Sequence, residues 1–286
     1  MLLTDNKNEF HTLKRYGQNF LVDKNILNLI TSRADLKNSD TVLEIGAGQG
    51  VLTRALLESG IKFLHTIEID TRLMDTLFDL KARYKNLEIH FADAVNFDYD
   101  ALKNSDKNFP NKIIANIPYN ITTPLIWQLL KYAEQGFKYQ LYMLQKEAAL
   151  RLTAPTKTKS RYPLGITIEA MGSAKIIHEV SPKCFRPVPK VSSAIVEIII
   201  NKNFDLVKNP LWSKLLHQAF KQRRKNIFNN LKNFINADEN LLKNYLSQAG
   251  IKSEMRAEEI ECEKWLALLK ILSSTSKKTP TSSSER

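Results

Sequence analysis

The sequence predicts an α/β fold, with a mostly parallel sheet covered by helices on both faces and a small all-helical domain after it. Two observations predict this fold. Short apolar runs alternate with helical patterns from about residue 25 to residue 200, which is typical of a parallel sheet. After Asn201 the composition changes, and only helical patterns follow.

Five apolar runs are predicted to form the first strands, each followed or preceded by a helix. The strands are Thr41 to Ile45, Phe63 to Ile69, Leu87 to Phe91, Lys112 to Ala115 and Tyr139 to Leu144, and the helices are 25–34, 50–59, 71–84, 121–134 and 146–153. Two later strands, Lys175 to Val180 and Ala194 to Ile200, are joined by a short connection. Such a connection favours an antiparallel pair, so the far edge of the sheet is predicted to be antiparallel.

A domain boundary is predicted at the linker after residue 200. Residues 1–200 would form the first domain and residues 205–272 the second, with helices at Leu211 to Phe234, Glu239 to Ala249 and Ala257 to Leu272. Gly250 is a helix-stop signal. Residues 273–286, SSTSKKTPTSSSER, are too polar to pack and are predicted to be a disordered tail.

Composition argues against a disulfide-rich or membrane-spanning protein and favours one that binds a polyanion. The 286 residues contain two cysteines, which are too far apart for a disulfide framework, and five scattered histidines, so no metal site is predicted. No window approaches the roughly 18 apolar residues of a membrane span, and a signal peptide is not recognisable, so a cytoplasmic protein is expected. The net charge of +12 favours a polyanionic partner, either nucleic acid or an anionic surface.

The stretch TVLEIGAGQG predicts a nucleotide-like ligand. A strand, then Gly46 and Gly48, then a helix allows the backbone to approach such a ligand closely. Glu44, Glu68 and Asp93 lie in or after three successive strands. These acids would repel the pyrophosphate of NAD but favour the sulfonium of S-adenosylmethionine. A Rossmann-like S-adenosylmethionine-dependent methyltransferase sheet is therefore favoured over a dehydrogenase, with three unrelated acids as the plainer alternative.

The stretch IIANIPYN lies at the end of the fourth predicted strand, and its last residues are suited to binding a nucleobase. The side-chain oxygen of Asn116 and the carbonyl of Ile117 can accept the hydrogens of an adenine amine, and Pro118 helps to fix the direction of that carbonyl. Tyr119 can stack on the extruded base. These residues, with Phe185, are the predicted catalytic set. A strand-end turn with a core tyrosine is the alternative interpretation.

Two further segments are candidates for ligand contact. Gln18 and Asn19 carry amides and follow Gly17, so they could fold over the cofactor as a lid, or could simply lead into a helix. Phe185 lies in a proline-rich loop, where it could form the second face of a base-stacking sandwich or could plug the core at the sheet edge.

Several motifs occur in the order of a known family. Together they make the sequence similar to the rRNA adenine N6,N6-dimethyltransferases, in particular the small-subunit type, from about residue 14 to residue 270. The motifs are KRYGQNFLVD at 14–23, EIGAGQG at 44–50, EID at 68–70, ADA at 92–94, NIPY at 116–119, MLQKEAALRL at 143–152, FRPVPKVSSAIV at 185–196 and AFKQRRKNI at 219–227. Ala92 and the AFKQRRK run depart slightly from the usual family pattern.

The resemblance implies a specific activity. It implies an S-adenosylmethionine-binding catalytic domain over 1–200 and a helical rRNA-recognition domain over 205–272, in a monomer that binds no membrane. The reaction would be methyl transfer to N6 of two adjacent adenosines in a loop near the 3′ end of small-subunit rRNA, within a pre-ribosomal small subunit. Cofactor contacts are implied at Asn19, Leu21, Gly46, Glu68, Asp93 and Asn116, to which Gln18, Glu44, Gly48 and Ala94 are added from the motifs.

Basic residues in two segments are predicted to bind RNA. Lys146 and Arg151 follow the fifth predicted strand, and a second group lies within a predicted helix: Lys221, Arg223, Arg224 and Lys225. Phosphate contact fits the net charge. The alternative is an ordinary solvated helix face.

Two other functions stay open on the sequence. The first is a large-subunit rRNA adenine methyltransferase of the resistance type, which shares the NIPY stretch, although MLQKEAALRL and FRPVPKVSS favour the small-subunit enzyme. The second is a non-catalytic ribosome-assembly or transcription factor that keeps the fold for RNA binding alone. The intact acids and Asn116 with Tyr119 favour catalysis.

Overall fold

The computed structural model describes residues 19–104, 109–234 and 238–276. The strands are β1 Phe20–Leu21, β2 Thr41–Ile45, β3 Phe63–Glu68, β4 Leu87–Phe91, β5 Lys112–Asn116, β6 Tyr139–Gln145, β7 Gly172–Val180, β8 Phe185–Arg186 and β9 Ser193–Ile200. The α-helices are α1 Lys24–Arg33, α2 Val51–Glu58, α3 Met74–Arg83, α4 Thr122–Leu130, α5 Lys146–Leu152, α6 Pro163–Met171, α7 Pro210–Ala219, α8 Ile227–Leu231, α9 Glu239–Gln248 and α10 Cys262–Ser276.

A seven-stranded sheet with the order β4-β3-β2-β5-β6-β9-β7 forms the centre of the fold. β2 pairs in parallel with β3 and with β5, and β3 pairs in parallel with β4. Every residue of β2 and β3 is buried. Strands covered on both faces need near-continuous apolar runs, which is the reason that TVLEI and FLHTIE show little polar alternation.

The predicted fold class is confirmed: the sheet is mixed and mostly parallel, with flanking helices and a helical C-terminal part. The first five predicted strands begin and end within one residue of the observed ones. β9 lies beside β7 at the far edge, as expected from their short connection. Gly250 has a φ of +69°, the left-handed conformation expected just after a helix, and α9 ends at Gln248.

Helix α6 was not predicted from the sequence. Eight of its nine residues are buried, so it has no polar stripe and therefore no helical periodicity to detect. Pro163 occupies the first helical position, where a missing N–H costs nothing.

The predicted helix Leu211 to Phe234 is wrong, because the structure has two helices there. α7 ends at Ala219 and α8 begins at Ile227, with a turn over 220–226 between them. Asn226 caps α8 by accepting a hydrogen bond of 2.9 Å from the N–H of Asn229. The last helix, α10, continues to Ser276, four residues into the predicted tail, and residues 277–286 lie outside the described part.

The chain divides into two compact units. One contains the described residues up to Thr122 with Leu141–Gln145 and His178–Ile195, and it includes β2 to β5. The other contains Thr123–Gln140, Lys146–Ile177 and the described residues from Val196 onward, and it includes α5 to α10. Among the described residues, no helix combines the length and apolarity that crossing a membrane requires.

Candidate active site

The strand order creates a crevice at the carboxyl ends of β2 and β5. β2, β3 and β4 follow one another to one side of the sheet, and the chain then returns to place β5 on the other side of β2. Ligands of open α/β sheets bind at such a reversal, outside the carboxyl ends of the strands. These strands end at Ile45, Glu68, Phe91 and Asn116. The residues predicted from the glycine motif and from NIPY are therefore at one edge of the sheet.

The loop after β2 requires glycine at two positions. Gly46 and Gly48 have φ values of +80° and +54°, a region that side chains rarely adopt. A Cβ at Gly46 would lie 3.4 Å from the carbonyl oxygen of Asn116, and one at Gly48 would lie 3.0 Å from the ring of Phe20. The loop therefore lies directly against the end of β5 and against β1.

Glu68 fixes this loop. Its Oε2 accepts a hydrogen bond of 2.8 Å from the N–H of Gly48, and its Oε1 accepts bonds of 2.9 Å from the N–H groups of Ile69 and Asp70. Burial raises the pKa of Glu68, while these backbone bonds act against that rise. A carboxylate has about four acceptor positions, and these backbone N–H groups occupy three of them.

Glu44 lies deeper than predicted. Its side chain is 0% exposed, and its Oε2 accepts a hydrogen bond of 2.7 Å from the hydroxyl of Thr53 in α2. Burial raises the pKa of Glu44 from 4.5 to about 7. Glu44 therefore joins β2 to α2, and the structure does not support the direct cofactor contact predicted for it.

The segment after β4 is a tight turn organised by Asp93. Its Oδ1 accepts a bond of 2.9 Å from the N–H of Val95, and its Oδ2 accepts one of 2.6 Å from the amide of Asn96. Ala94 is buried, and its carbonyl accepts the hydroxyl of Tyr99 at 2.8 Å. Asp93 is half-buried at the edge where the other predicted contacts lie.

The segment after β5 forms hydrogen bonds with three other segments of the chain. The side-chain amide of Asn116 donates to the carbonyl of Asn19 at 3.3 Å, and the N–H of Ile117 donates to the carbonyl of Met143 in β6 at 2.9 Å. The hydroxyl of Tyr119 lies 2.8 Å from the hydroxyl of Ser193 in β9. Backbone and ring are therefore both positioned by neighbouring elements.

Ser193 is a site residue that the sequence analysis missed. It lies inside the quoted motif FRPVPKVSSAIV, but only the three-dimensional pairing with Tyr119 reveals its part.

Comparison with known proteins identifies the family. A family model described as ribosomal RNA adenine dimethylase matches residues 9–274. The ribosomal RNA small subunit methyltransferase A of Clostridium botulinum (strain Loch Maree / Type A3) is 35% identical over 262 residues, covering 91% of this chain and 94% of that protein. The chain belongs to the ribosomal RNA adenine dimethylase family. The resemblance stated from the sequence motifs is thereby confirmed.

Solved structures confirm the fold of the chain. A dimethyladenosine transferase from Plasmodium falciparum has a TM-score of 0.73 and 29% identity, covering 90% of this chain and 98% of that one. The 23S rRNA methyltransferase ErmE has a TM-score of 0.64 and 24% identity, covering 89% of this chain and 100% of that one, and at this identity it shows the fold alone.

The segment that contains β1 pairs with the proline-rich loop. In the antiparallel pair of β1 and β8, Leu21 is opposite Phe185, and both are buried. The ring of Phe185 is only 1% exposed, so the second stacking face predicted for it is not available, and Phe185 is a core residue. Gln18 lies outside the described residues, while Asn19 is half-buried beside Asn116.

Two of the predicted RNA-binding arginines share one aromatic ring. The guanidinium groups of Arg151 and Arg223 lie 4.9 Å and 4.7 Å from the ring centroid of Tyr162. Arg223 also donates to the carbonyl of Lys159 at 2.6 Å, and Arg151 is paired with Glu147. The ring thus holds both cations by cation–π contact, and Arg223 has a structural part that its sequence did not suggest.

The basic run forms a turn and not a helix face. Lys221, Arg224 and Lys225 are exposed in the turn between α7 and α8. The buried side chain of Asn230 ties this turn together by donating to the carbonyls of Gln222 at 3.1 Å and Lys225 at 3.4 Å.

A cavity of about 310 Å³ lies beside this turn and is lined by residues with polar side chains. Its lining residues are lysines and amides: Gln218, Lys221, Gln222, Lys225, Asn229, Asn230, Lys232 and Asn233. Such a lining suits an anion or a polar ligand. Lys146, the remaining predicted RNA contact, is half-buried at the start of α5.

The histidines are not all scattered, as the sequence suggested. The Nδ1 atom of His65 in β3 lies 3.2 Å from the Nε2 atom of His90 in β4. Sequence spacing gave no sign of this pair, because parallel pairing of β3 with β4 brings together residues that are far apart in the chain.

Proposed function

We propose that this protein transfers methyl groups from S-adenosylmethionine to N6 of two adjacent adenosines in a loop near the 3′ end of small-subunit rRNA. One observation carries the proposal: the Asn116–Tyr119 segment, which contains the proposed adenine-binding groups, lies directly against the glycine loop. The carbonyl of Asn116 lies only 3.4 Å from where a Cβ of Gly46 would be. Acceptors for the amine are therefore adjacent to the proposed cofactor loop.

The residues at the crevice fit S-adenosylmethionine. Gly46 and Gly48 allow the sharp turn that a loop at such a crevice needs, and Glu68 keeps one acceptor position for a ribose hydroxyl. Asp93 adds a carboxylate at the same edge. When bound, S-adenosylmethionine supplies an electrophilic methyl group on a positively charged sulfonium. The carboxylates at this edge of the sheet favour that positive charge.

The residues after β5 would activate the adenine amine. Its lone pair is delocalised into the ring, so it is a poor nucleophile until its hydrogens are accepted and the nitrogen can become tetrahedral. The side-chain oxygen of Asn116 and the carbonyl of Ile117 are the acceptors, and Pro118 holds the backbone extended. Tyr119, fixed by Ser193 at 2.8 Å, offers the stacking face for the base.

The partner we propose is small-subunit rRNA within a pre-ribosomal small subunit in the cytoplasm, bound by a monomer. The relatives matched are named for the small ribosomal subunit. The net charge of +12 and the exposed cations Lys221, Arg224 and Lys225 support binding to a polyanion.

The test is to incubate the protein with labelled S-adenosylmethionine and unmodified small or large ribosomal subunits, and then to map the methylated bases. Two adjacent dimethylated adenosines near the 3′ end of the small-subunit rRNA are expected. Methylation of large-subunit rRNA would favour the resistance-type activity, and no methylation of either subunit would favour a binding-only assembly factor.

The same assay tests Asn116. Removing a positioned electrostatic group commonly costs ~10²–10³ in rate, so Asn116→Ala should lower the methylation rate by that factor at saturating cofactor. Asn120→Ala is the matched control, because Asn120 is an exposed amide one residue beyond the motif. A near-normal rate for Asn116→Ala would contradict the proposed role.

A further inference from the structure

Three potential metal ligands meet on strands β3 and β4, outside the crevice. His65 in β3 is directly opposite Glu88 in β4, and His90 is opposite Ile67, two residues further along. Side chains two residues apart along a strand share one face of the sheet. His65, Glu88 and His90 are therefore on the same face, and β4 is the edge strand.

The distances fit joint coordination of one cation. The Nδ1 atom of His65 lies 3.2 Å from the Nε2 atom of His90 and 3.7 Å from an Oε2 oxygen of Glu88. All three ligand atoms lie within 4.8 Å of one another. Two ligands that each lie about 2.0–2.1 Å from a tetrahedral zinc ion are roughly 3.4 Å apart, so only small side-chain movements are needed.

The surroundings hold the two imidazoles in place and leave a path to solvent. The ring of Phe63 lies 4.8 Å from that of His65, and the ring of Phe97 lies 5.3 Å from that of His90. The side chain of His65 is 1% exposed, whereas that of Glu88 is 33% exposed.

We propose that His65, Glu88 and His90 form a binding site for a divalent transition-metal cation of the zinc class. Two imidazoles and one carboxylate are a ligand set that zinc uses with a fourth, open position. Binding replaces the contact between the two imidazoles by two bonds to the cation, and each neutral imidazole keeps its single N–H on the ring nitrogen that does not bind the cation. It links the edge strand β4 to β3. The proposal is independent of the methyltransferase activity.

The experiment is a titration of the untagged full-length protein with Co²⁺, whose visible absorption reports low-coordinate nitrogen and oxygen ligation, followed by competition with Zn²⁺. One equivalent should bind, and the melting temperature should rise with Zn²⁺ concentration. His90→Gln should weaken the binding by at least ~100-fold, since even partners of metal ligands are worth about 10–100-fold. Glu88→Gln, at a partly exposed side chain, tests the same site with less risk to the fold.

His178→Gln is the matched control, because His178 is exposed on β7 and lies outside the cluster. It should bind Co²⁺ as the wild-type protein does. Circular dichroism establishes that each variant is folded, and if His90→Gln is not, Glu88→Gln decides. Equal affinity of wild-type and folded variant for Co²⁺, or no saturable binding at all, would overturn the proposal and leave the cluster as a hydrogen-bonded histidine pair.

Discussion

Glu44 makes the stability of the protein depend on pH. Its pKa is raised to about 7 in the folded protein, against 4.5 ordinarily, because its carboxyl is fully buried. Because the pKa of Glu44 is higher in the folded than in the unfolded protein, the folded protein is more stable when Glu44 is protonated than when it is ionised. This contribution is fully present below about pH 4.5 and is lost as the pH rises through about 7. The difference between the two pKa values corresponds to about 3 kcal/mol.

Glu44→Gln should remove this dependence, because glutamine stays neutral. The free energy of unfolding of the wild type, relative to Glu44→Gln, should fall by about 3 kcal/mol between pH 4.5 and pH 8. Urea unfolding across that range measures it, with Glu254→Gln as a control at an exposed carboxyl. A constant difference between wild type and Glu44→Gln would show that Glu44 ionises normally in the folded protein.

The hydrogen bond between Tyr119 and Ser193 should matter for RNA and not for cofactor. Tyr119→Phe and Ser193→Ala remove the same bond, worth about 0.5–1.5 kcal/mol, so each should lower kcat/KM for the RNA by roughly 2- to 12-fold. The double variant should be no worse than the worse single one. The Kd of S-adenosylmethionine, measured by calorimetry, should be unchanged.

Ser192→Ala is the neighbouring control and should keep normal kcat/KM. Fully additive losses in the double variant would mean that the two hydroxyls act separately.

At the residue scale, the sequence predicted which residues lie at the crevice but not how deeply their side chains are buried. Asn116 and Tyr119 were predictable because a motif at a strand end must lie at the carboxyl edge of a parallel sheet. Glu44 was misjudged because one position within a strand does not reveal which neighbour covers it. The burial of Phe185 is equally invisible in the local sequence, because its strand pairs with Leu21, on a segment far away in the chain.

At the scale of elements, the turn between α7 and α8 separates two kinds of arginine. Arg224 is exposed, whereas Arg223 is half-buried, donates to the carbonyl of Lys159 and lies over the ring of Tyr162. Arg224→Ala should therefore weaken rRNA binding without changing the melting temperature. Each lost phosphate contact lowers the slope of log K against log salt by ~0.7–0.9.

Arg223→Ala should instead destabilise the fold by about 1–3 kcal/mol, because it removes a charge-assisted bond and a cation–π contact. Filter binding across a salt series and thermal unfolding separate the two effects. An unchanged salt slope for Arg224→Ala would mean that this turn does not contact phosphate.

The break between these helices could not be predicted from the local pattern. Phe220 and Ile227 lie on either side of the polar stretch 221–226 and are seven residues apart, which is about two helical turns, so the pattern predicts one helix. The turn is stabilised instead by the buried amide of Asn230, whose bonds to Gln222 and Lys225 satisfy backbone groups that a helix would satisfy by itself. Nothing in the sequence distinguishes this asparagine from its neighbours Asn229 and Asn233.

At the scale of the whole molecule, the C-terminal helices share a core with the segment before β7. Trp212 in α7 is 0% exposed, and its indole N–H donates to the hydroxyl of Thr167 in α6 at 3.0 Å. The N–H of Lys157 donates to the carbonyl of Glu258 at 2.8 Å. The sequence predicted a boundary between residues 200 and 205 from composition alone, which cannot register packing between distant segments. That boundary stays a prediction.

Deleting residues 205–286 is the sharpest test of that boundary. The deletion would uncover α6, eight of whose nine residues are buried, and would leave the hydroxyl of Thr167 without Trp212. Burying each large apolar side chain is worth about 1.5–3 kcal/mol, so the loss should exceed the roughly 5–15 kcal/mol that stabilises a typical protein. We therefore expect the fragment 1–204 to be insoluble or to unfold without cooperativity.

Trp212→Ala in the full-length chain tests the same packing with a smaller change, and it should cost about 3–5 kcal/mol by urea unfolding. Trp212→Phe should cost less, because it keeps most of the apolar volume and loses mainly the bond to Thr167. A soluble 1–204 fragment that unfolds cooperatively and binds S-adenosylmethionine would contradict the expectation and establish residues 1–200 as an independent domain. If it fails to fold, Arg224→Ala in the full-length chain is the proper way to separate rRNA binding from catalysis.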